Sequence, residues 1–223
     1  MRSTWQKILS YFIDLSLEKS SSPYNPYLEV LLVKGRNQLI TKNAIYSFDD
    51  KYENFYTSFN KIAWQKLKAK NALILGLGLG SVIYMLENNF KKKFSYDCVE
   101  IDPEIIRLAE KYSLNKIKSP VQTFQTDAHS YVNISSQQYD LILMDVFQSA
   151  KVPGKFETID FLNALKSILN SNGVILYNRM NISHSDKKSN QAFLERFAQI
   201  FPSYGSIKVR NNLVLFSDKK FIK

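Results

Sequence analysis

From Asn71 to Asp102 the spacing of apolar residues changes twice. Ala72-Leu73-Ile74-Leu75 is an unbroken apolar run. It is too short for a core helix and predicts a strand buried on both faces. Gly76-Leu77-Gly78-Leu79-Gly80 ends it. Glycine has no Cβ, so the backbone there can turn tightly and admit a close neighbour. Val82, Ile83, Met85 and Leu86 then return at helical spacing and predict a helix over Ser81 to Asn89. Phe94 to Val99 predicts a second strand, which stops on Glu100.

The rest of the chain continues that alternation. Residues 1 to 10 predict a short amphipathic helix with Trp5, Ile8 and Leu9 on one side. Tyr11, Ile13, Leu15 and Leu17 alternate with Phe12, Asp14, Ser16 and Glu18, the period of a half-buried strand. Tyr27 to Val33 and Gln38 to Thr41 predict two more strands around a tight turn at Lys34-Gly35-Arg36-Asn37. A helix is expected from Asp49 or Asp50, as cap, through Lys68, burying Phe55, Phe59, Ile62 and Ala63. After Glu100, Asp102-Pro103-Glu104 opens a helix to about Tyr112. Val121 to Thr126 is the third strand of this half, and Asp127 caps a short helix, Ala128 to Asn133. Tyr139 to Met144 ends at Asp145, and a loop runs from Val146 to Lys155. A helix over Thr158 to Leu169, a turn at Asn170 to Gly173 and a strand over Val174 to Asn178 follow. Asp186 to Phe201 is the last large helix, and Ser206 to Val209 with Leu213 to Phe216 forms a closing hairpin.

Strands that alternate with helices make a parallel sheet. The expected fold is α/β: a Rossmann-like, doubly wound, mostly parallel seven-stranded sheet with an antiparallel last strand at its edge. A small antiparallel β-unit precedes it. The expected divisions are 1–48 for the small unit, 49–70 for a connecting helix and 71–223 for the Rossmann-like domain.

Composition narrows the chemistry. The single Cys98 lies within a predicted strand, which excludes a disulfide framework and a Cys-based metal site. His129 and His184 are far apart, so no metal is expected. No run of 18 apolar residues occurs, and the N-terminus lacks the apolar core of a signal peptide. A cytoplasmic location without membrane contact is the resulting expectation. The net charge of +10 can favour anionic partners, but its lysines are scattered or sit in short clusters at predicted element ends. Solvated surface is therefore preferred over a nucleic-acid interface.

The candidate chemistry sits at the predicted strand ends. Glu100 falls 24 positions after Gly76. In dinucleotide-binding folds an acid about 20 residues on accepts the ribose hydroxyls. The glycine pattern is G-x-G-x-G, with Ser81 next, so the pyrophosphate fingerprint is incomplete, and no P-loop pattern occurs. LGLGLGS, VEIDPEII, QTDAHSYV and YDLILMDVF, in that order, resemble the nucleotide-binding half of the class I S-adenosylmethionine-dependent transferases. The nearest branch is similar to the spermidine synthase-like proteins, which also carry a small N-terminal sheet.

The resemblance implies roles. Gly76, Leu77, Gly78 and Gly80 would approach the aminoacyl part of the cofactor. Glu100 would hold the ribose, the alternative being a solvated strand end, and Ile101 would pack on the adenine. Asp127 would accept from the adenine amine, with Ala128 offering its amide; the alternative for Asp127 is a helix cap alone. Asp145 would take the proton of an amine acceptor. The aromatic residues Tyr52, Phe55, Tyr56, Phe59 and Trp64 either line the pocket or simply pack the core.

The sequence departs from the family at the amine site. Spermidine synthases follow the aspartate with a second acid in D-x-x-D-P, whereas this chain reads Asp145-Val146-Phe147-Gln148-Ser149. Lys151 and Lys155 follow, where a polyamine would want carboxylates. At an effective dielectric near 20, one charge reversal at 4 Å is worth about 4 kcal/mol. Tyr52-Glu53-Asn54 is the nearest remnant of the family's Tyr-His-Glu signature. On these grounds a methyltransferase using S-adenosylmethionine on an unidentified small or anionic acceptor leads. An aminopropyltransferase using decarboxylated S-adenosylmethionine is the first alternative. A non-catalytic nucleoside- or nucleic-acid-binding module is the second, and a homodimer is an open assembly.

Overall fold

A computed structural model describes residues 4–42, 44–148 and 151–223. The chain opens with α1 (Thr4–Leu9) and β1 (Leu15–Ser20). Trp5, Ile8 and Leu9 are all exposed, so no apolar face holds α1 down. Ser10 anchors it instead, its hydroxyl and carbonyl accepting the amides of Gly35 and Lys34. The alternating pattern from Tyr11 predicts an earlier strand than is found. The amides of Phe12 and Ile13 turn back onto the Leu9 carbonyl, and only then does the backbone extend.

β2 (Leu28–Val33), β3 (Arg36–Thr41) and β4 (Ile45–Phe48) complete a four-stranded antiparallel sheet in the order β1-β2-β3-β4. The β2–β3 turn is Lys34-Gly35 alone, both at positive φ (49° and 77°). This primed geometry matches the twist of the strands, so Arg36 and Asn37 join β3. The four-residue β4 has no alternating pattern of its own and is held by pairing with β3.

The helix expected through Lys68 is broken. A 3-10 turn at Asp49–Lys51 precedes α2 (Glu53–Lys61), and another at Trp64–Lys66 follows. Neither aspartate caps α2. Asp49 accepts the Asn37 amide at 2.8 Å and Asp50 pairs with Arg36, so β3 has recruited both carboxylates. Tyr52 occupies the N-cap position without a side-chain cap bond.

The main sheet then builds up. β5 (Asn71–Leu75), α3 (Ser81–Asn88), β6 (Ser95–Glu100), α4 (Pro103–Tyr112) and β7 (Val121–Gln125) run outward on one side. α5 (Ala128–Ile134), β8 (Tyr139–Met144), α6 (Ile159–Ser167), β9 (Leu169–Met180) and α7 (His184–Ile200) return to the other. The hairpin of β10 (Gly205–Val209) and β11 (Asn212–Phe216) finishes it. The order is β10-β11-β9-β8-β5-β6-β7. β11 is antiparallel to β9, yet it does not lie at the edge; β10 does. The hairpin folds back so that the more apolar strand, with Val214, Leu215 and Phe216 fully buried, takes the inner place.

Other boundaries also move. Asn170 to Gly173, expected as a turn, opens β9, which pairs with Tyr139 at Leu169 before a register shift. α6 stops at Ser167, short of the expected Leu169. α7 starts two residues early because Ser183 and Asp186 form a reciprocal capping box.

β5 is buried on both faces as its apolar run predicts. Ala72 and Ile74 join the core under α2 and α3, while Leu73 and Leu75 join the core under α5 and α6. The small sheet sits on the other side of α4, where Leu28, Val30 and Leu39 meet Leu79, Ile105 and Leu108. Its polar contacts converge on two acids. Asp102, fully buried, caps α4 through the Glu104 amide (2.9 Å) and accepts from Ser22 and from Asn25 Nδ2 (2.7 Å). Glu18 accepts from Arg107 (2.6 Å), Lys111 (2.8 Å) and the Tyr112 hydroxyl (2.7 Å). Among the described residues no helix is long and apolar enough to cross a membrane, and no cluster of acids, His or Cys could hold a metal ion.

Candidate active site

β5 is the strand at which the sheet reverses its direction of growth, with β6 on one side and β8 on the other. In such sheets the usual ligand site is the crevice beyond the strand tips at this reversal point. Gly76 and Asp145, the first residues past β5 and β8, pack backbone against backbone at this point. The Asp145 amide donates to the Leu75 carbonyl at 2.8 Å. A Cβ on Gly76, whose φ is +89°, would stand 2.5 Å from the Asp145 carbonyl oxygen. At Gly78, φ +52°, a Cβ would stand 3.0 Å from the Tyr46 carbonyl and 3.2 Å from Ser47 Cβ. The close approach that these glycines permit is thus to the protein's own backbone. Gly80 begins α3 at its N-cap, and Ser81 ties that end to β4 through the Ser47 hydroxyl (2.7 Å) and the Phe48 amide (2.9 Å).

On the β6 side, Glu100 lies beside the glycine loop. Its two oxygens accept the amides of Leu77 and Asp102, each at 3.1 Å. The Leu77 side chain itself is buried in the core. Burial raises the Glu100 carboxyl above its ordinary range, against the pull of the Asp102 and Leu77 amides. The carboxylate is half-buried, and Ile101 beside it is 37% exposed, an open apolar surface next to an oriented acid. Such an acid retains lone pairs for the two hydroxyls of a ribose, and the neighbouring isoleucine can cover a flat base. The residues present therefore fit a nucleoside.

Asp127 caps α5, accepting the Ser130 amide at 3.2 Å, and Ala128 is the first residue of that helix. Asp127 is also bound by Lys155 Nζ at 2.5 Å, from the loop after β8. Burial would raise the Asp127 carboxyl, but Lys155 and the Ser130 amide outweigh it and hold it below its usual range. Lys155, read from the sequence as a cation unwelcome near a polyamine, is thus placed on the β7 side of the crevice.

Asp145 follows directly on β8. The Tyr52 hydroxyl donates to its Oδ2 and the Asn178 amide to its Oδ1, both at 2.8 Å. Burial pushes the carboxyl up to about 7, although both hydrogen bonds favour its ionised form. Tyr52 is pushed well above its usual range by burial and by the facing Asp145. The site thus holds a carboxylate poised to gain or lose a proton near neutrality, which is what proton transfer from an amine requires.

Of the five aromatic residues around α2, only Tyr52 reaches this site. Phe55 and Phe59 are fully buried core residues, Trp64 packs on Phe59, and Tyr56 packs on Phe90. Asn178 belongs to no motif and is not among the residues expected at the site. The available signal is its position: it ends the strand expected over Val174 to Asn178, and Tyr177 before it pairs with Met144, which precedes Asp145. Gln148 and Lys151 pair backbone to backbone in the loop after β8; Ser149, between them, lies outside the described residues.

A Rossmann-like sheet with an acid at the end of β6, a helix-capping acid after β7 and an acid packed beside the first glycine defines a class I S-adenosylmethionine-type transferase. Residues 56–209 match the family model of the spermine/spermidine synthase domain, and the chain belongs to that family. A "probable polyamine aminopropyl transferase" of Bifidobacterium longum is 31% identical over 133 residues, 60% of this chain and 29% of that protein. A polyamine aminopropyltransferase of Vibrio vulnificus is 34% identical over 119 residues, 52% of this chain and 40% of that protein. The match thus spans less than half the length of either relative. The spermidine synthase of Thermotoga maritima shares the fold, with a TM-score of 0.67 at 13% identity over 90% of this chain and 71% of that structure.

Proposed function

We propose that this chain is an aminopropyltransferase that moves the aminopropyl group of decarboxylated S-adenosylmethionine onto an amine. The observation that carries the proposal is Asp145 held between Tyr52 and Asn178 at the mouth of the crevice. Family membership and the names of the matched relatives support aminopropyl transfer over the methyl transfer that the sequence favoured.

The residue roles follow the crevice. Glu100 holds the ribose, Ile101 covers the adenine, and the backbone of Gly76, Leu77, Gly78 and Gly80 borders the sulfur end. Asp127 and the Ala128 amide read the adenine edge, once Lys155 shares or releases that carboxylate. When bound, the sulfonium supplies a carbon activated for displacement by an amine nitrogen. Asp145 accepts the proton that nitrogen sheds, and one lone pair on each of its oxygens stays available after the Tyr52 and Asn178 bonds. Residues 1–48 form the small sheet unit, 49–70 the connector that delivers Tyr52, and 71–223 the nucleoside-binding domain.

A second reading keeps methyl transfer from S-adenosylmethionine. It is favoured by Gln148 at the place of the family's second acid and by Lys151 and Lys155 on the same loop. Product analysis separates the two. With decarboxylated S-adenosylmethionine and a diamine, methylthioadenosine and a longer polyamine are expected. Formation of S-adenosylhomocysteine from S-adenosylmethionine, with no methylthioadenosine from the decarboxylated donor, supports the second reading and rejects the first.

A further inference from the structure

Behind Asp145 the hydrogen-bond chain continues into the sheet. Asn178, on β9, is 1% exposed, and Asn212, at the start of β11, is 6% exposed. Asn212 Nδ2 donates to Asn178 Oδ1 at 3.0 Å and lies 3.5 Å from Met180 Sδ. Asn178 Nδ2 donates to Asp145 Oδ1 at 2.8 Å. A primary amide presents an acceptor at one end and donors at the other. Once its oxygen is taken by Asn212, Asn178 can turn only its donor end to Asp145.

We infer that Asn212 is a positioning residue that fixes the polarity of the Asn178 amide, and so keeps a permanent donor on the inner oxygen of Asp145. The inference rests on the reading of Asp145 as proton acceptor. The chain runs one way, from Asn212 to Asn178 to Asp145. With Tyr52 donating to Oδ2, the carboxylate receives one donor on each oxygen. A donor to the ionised form favours that form. Without Asn212 the Asn178 amide is free to rotate and set its carbonyl against the carboxylate, which favours the protonated acid.

The charges around Asp145 do not offer another explanation. Tyr52 is the titratable side chain that touches it. Farther out, Glu53 and Arg210 pair with each other at 2.6 Å, and Lys151 is exposed on the loop after β8. Asn212→Leu leaves all of these in place.

The test is carboxyl-carbon NMR of the full chain labelled at aspartate, with Asp145 assigned by the signal lost in Asp145→Asn. In the unchanged protein the Asp145 midpoint is expected near 7. In Asn212→Leu it is expected to rise by about one pH unit, with Asn178→Leu producing a rise at least as large. The acid limb of the transfer rate should move by the same amount. A midpoint unmoved in Asn212→Leu but raised in Asn178→Leu overturns the role of Asn212. Should Asn212→Leu fail to fold, the unchanged protein still decides. The Asn178 side-chain NH2 signals are expected to titrate with the Asp145 midpoint, and their indifference to it overturns the inference. Shifted midpoints in a protein that forms neither methylthioadenosine nor S-adenosylhomocysteine would reject the transferase reading while leaving the hydrogen-bond polarity intact.

Discussion

At the scale of single residues, the site depends on two carboxylates tuned in different ways. Glu100 is oriented by backbone amides and Asp145 by side chains, so the first is a fixed acceptor and the second a responsive one. Transfer should require ionised Asp145. Because its carboxyl is raised to about 7, the rate is expected to climb through neutral pH and level off above it, measured as kcat/KM against pH. Asp145→Ala should lower transfer by 10²–10⁴-fold, the usual worth of a positioned base, while calorimetric affinity for the nucleoside changes only a few fold. Full activity in that variant would remove Asp145 from the chemistry. Glu100→Ala should weaken nucleoside binding by about tenfold or more, roughly 1.4 kcal/mol; unchanged affinity would show the ribose lies elsewhere.

At the scale of elements, the glycine loop explains both what the sequence reveals and what it hides. The β5–loop–α3–β6 unit was legible because its period changes sharply and its apolar run is buried on both faces. The small β4 was hidden, since four residues with Ile45 exposed carry no pattern. Asp49 and Asp50 have the right chemistry for helix caps, yet β3 claims both through Asn37 and Arg36. That long-range competition is invisible in a local window. The same applies to Tyr52 and Asn178, whose meaning appears only when α2 and β9 meet at Asp145. The glycine loop also gives a test at this scale. Gly78→Ala would hold a side chain at φ +52° with its Cβ 3.0 Å from the Tyr46 carbonyl. A loss of about 1–3 kcal/mol is expected, read as a lower thermal midpoint; an unchanged midpoint would mean that β4 gives way freely.

At the scale of the whole molecule, the small sheet is clamped to α4 by acids whose ionisation matters. Hydrogen bonds from Lys111, Tyr112 and Arg107 hold the Glu18 carboxyl down at about 2. A depressed carboxyl stabilises the folded state fully above its unfolded value near 4.5, and that contribution is lost as pH falls toward 2. Thermal midpoints should therefore fall between about pH 4.5 and 2, with a shallower fall in Glu18→Gln. Identical slopes in the two proteins would show the clamp is not coupled to folding. β4 meets the start of α3 directly, through Ser47 and Phe48 on Ser81, so the small sheet is joined to the glycine loop as well as to α4. The measurement that bears most directly on the crevice is a crystal structure of the full chain soaked with methylthioadenosine. The expected result has both ribose hydroxyls on Glu100, the adenine against Ile101 and the sulfur turned toward Asp145. Methylthioadenosine bound away from the tips of β5 and β8, or absent at saturating concentration, would contradict it.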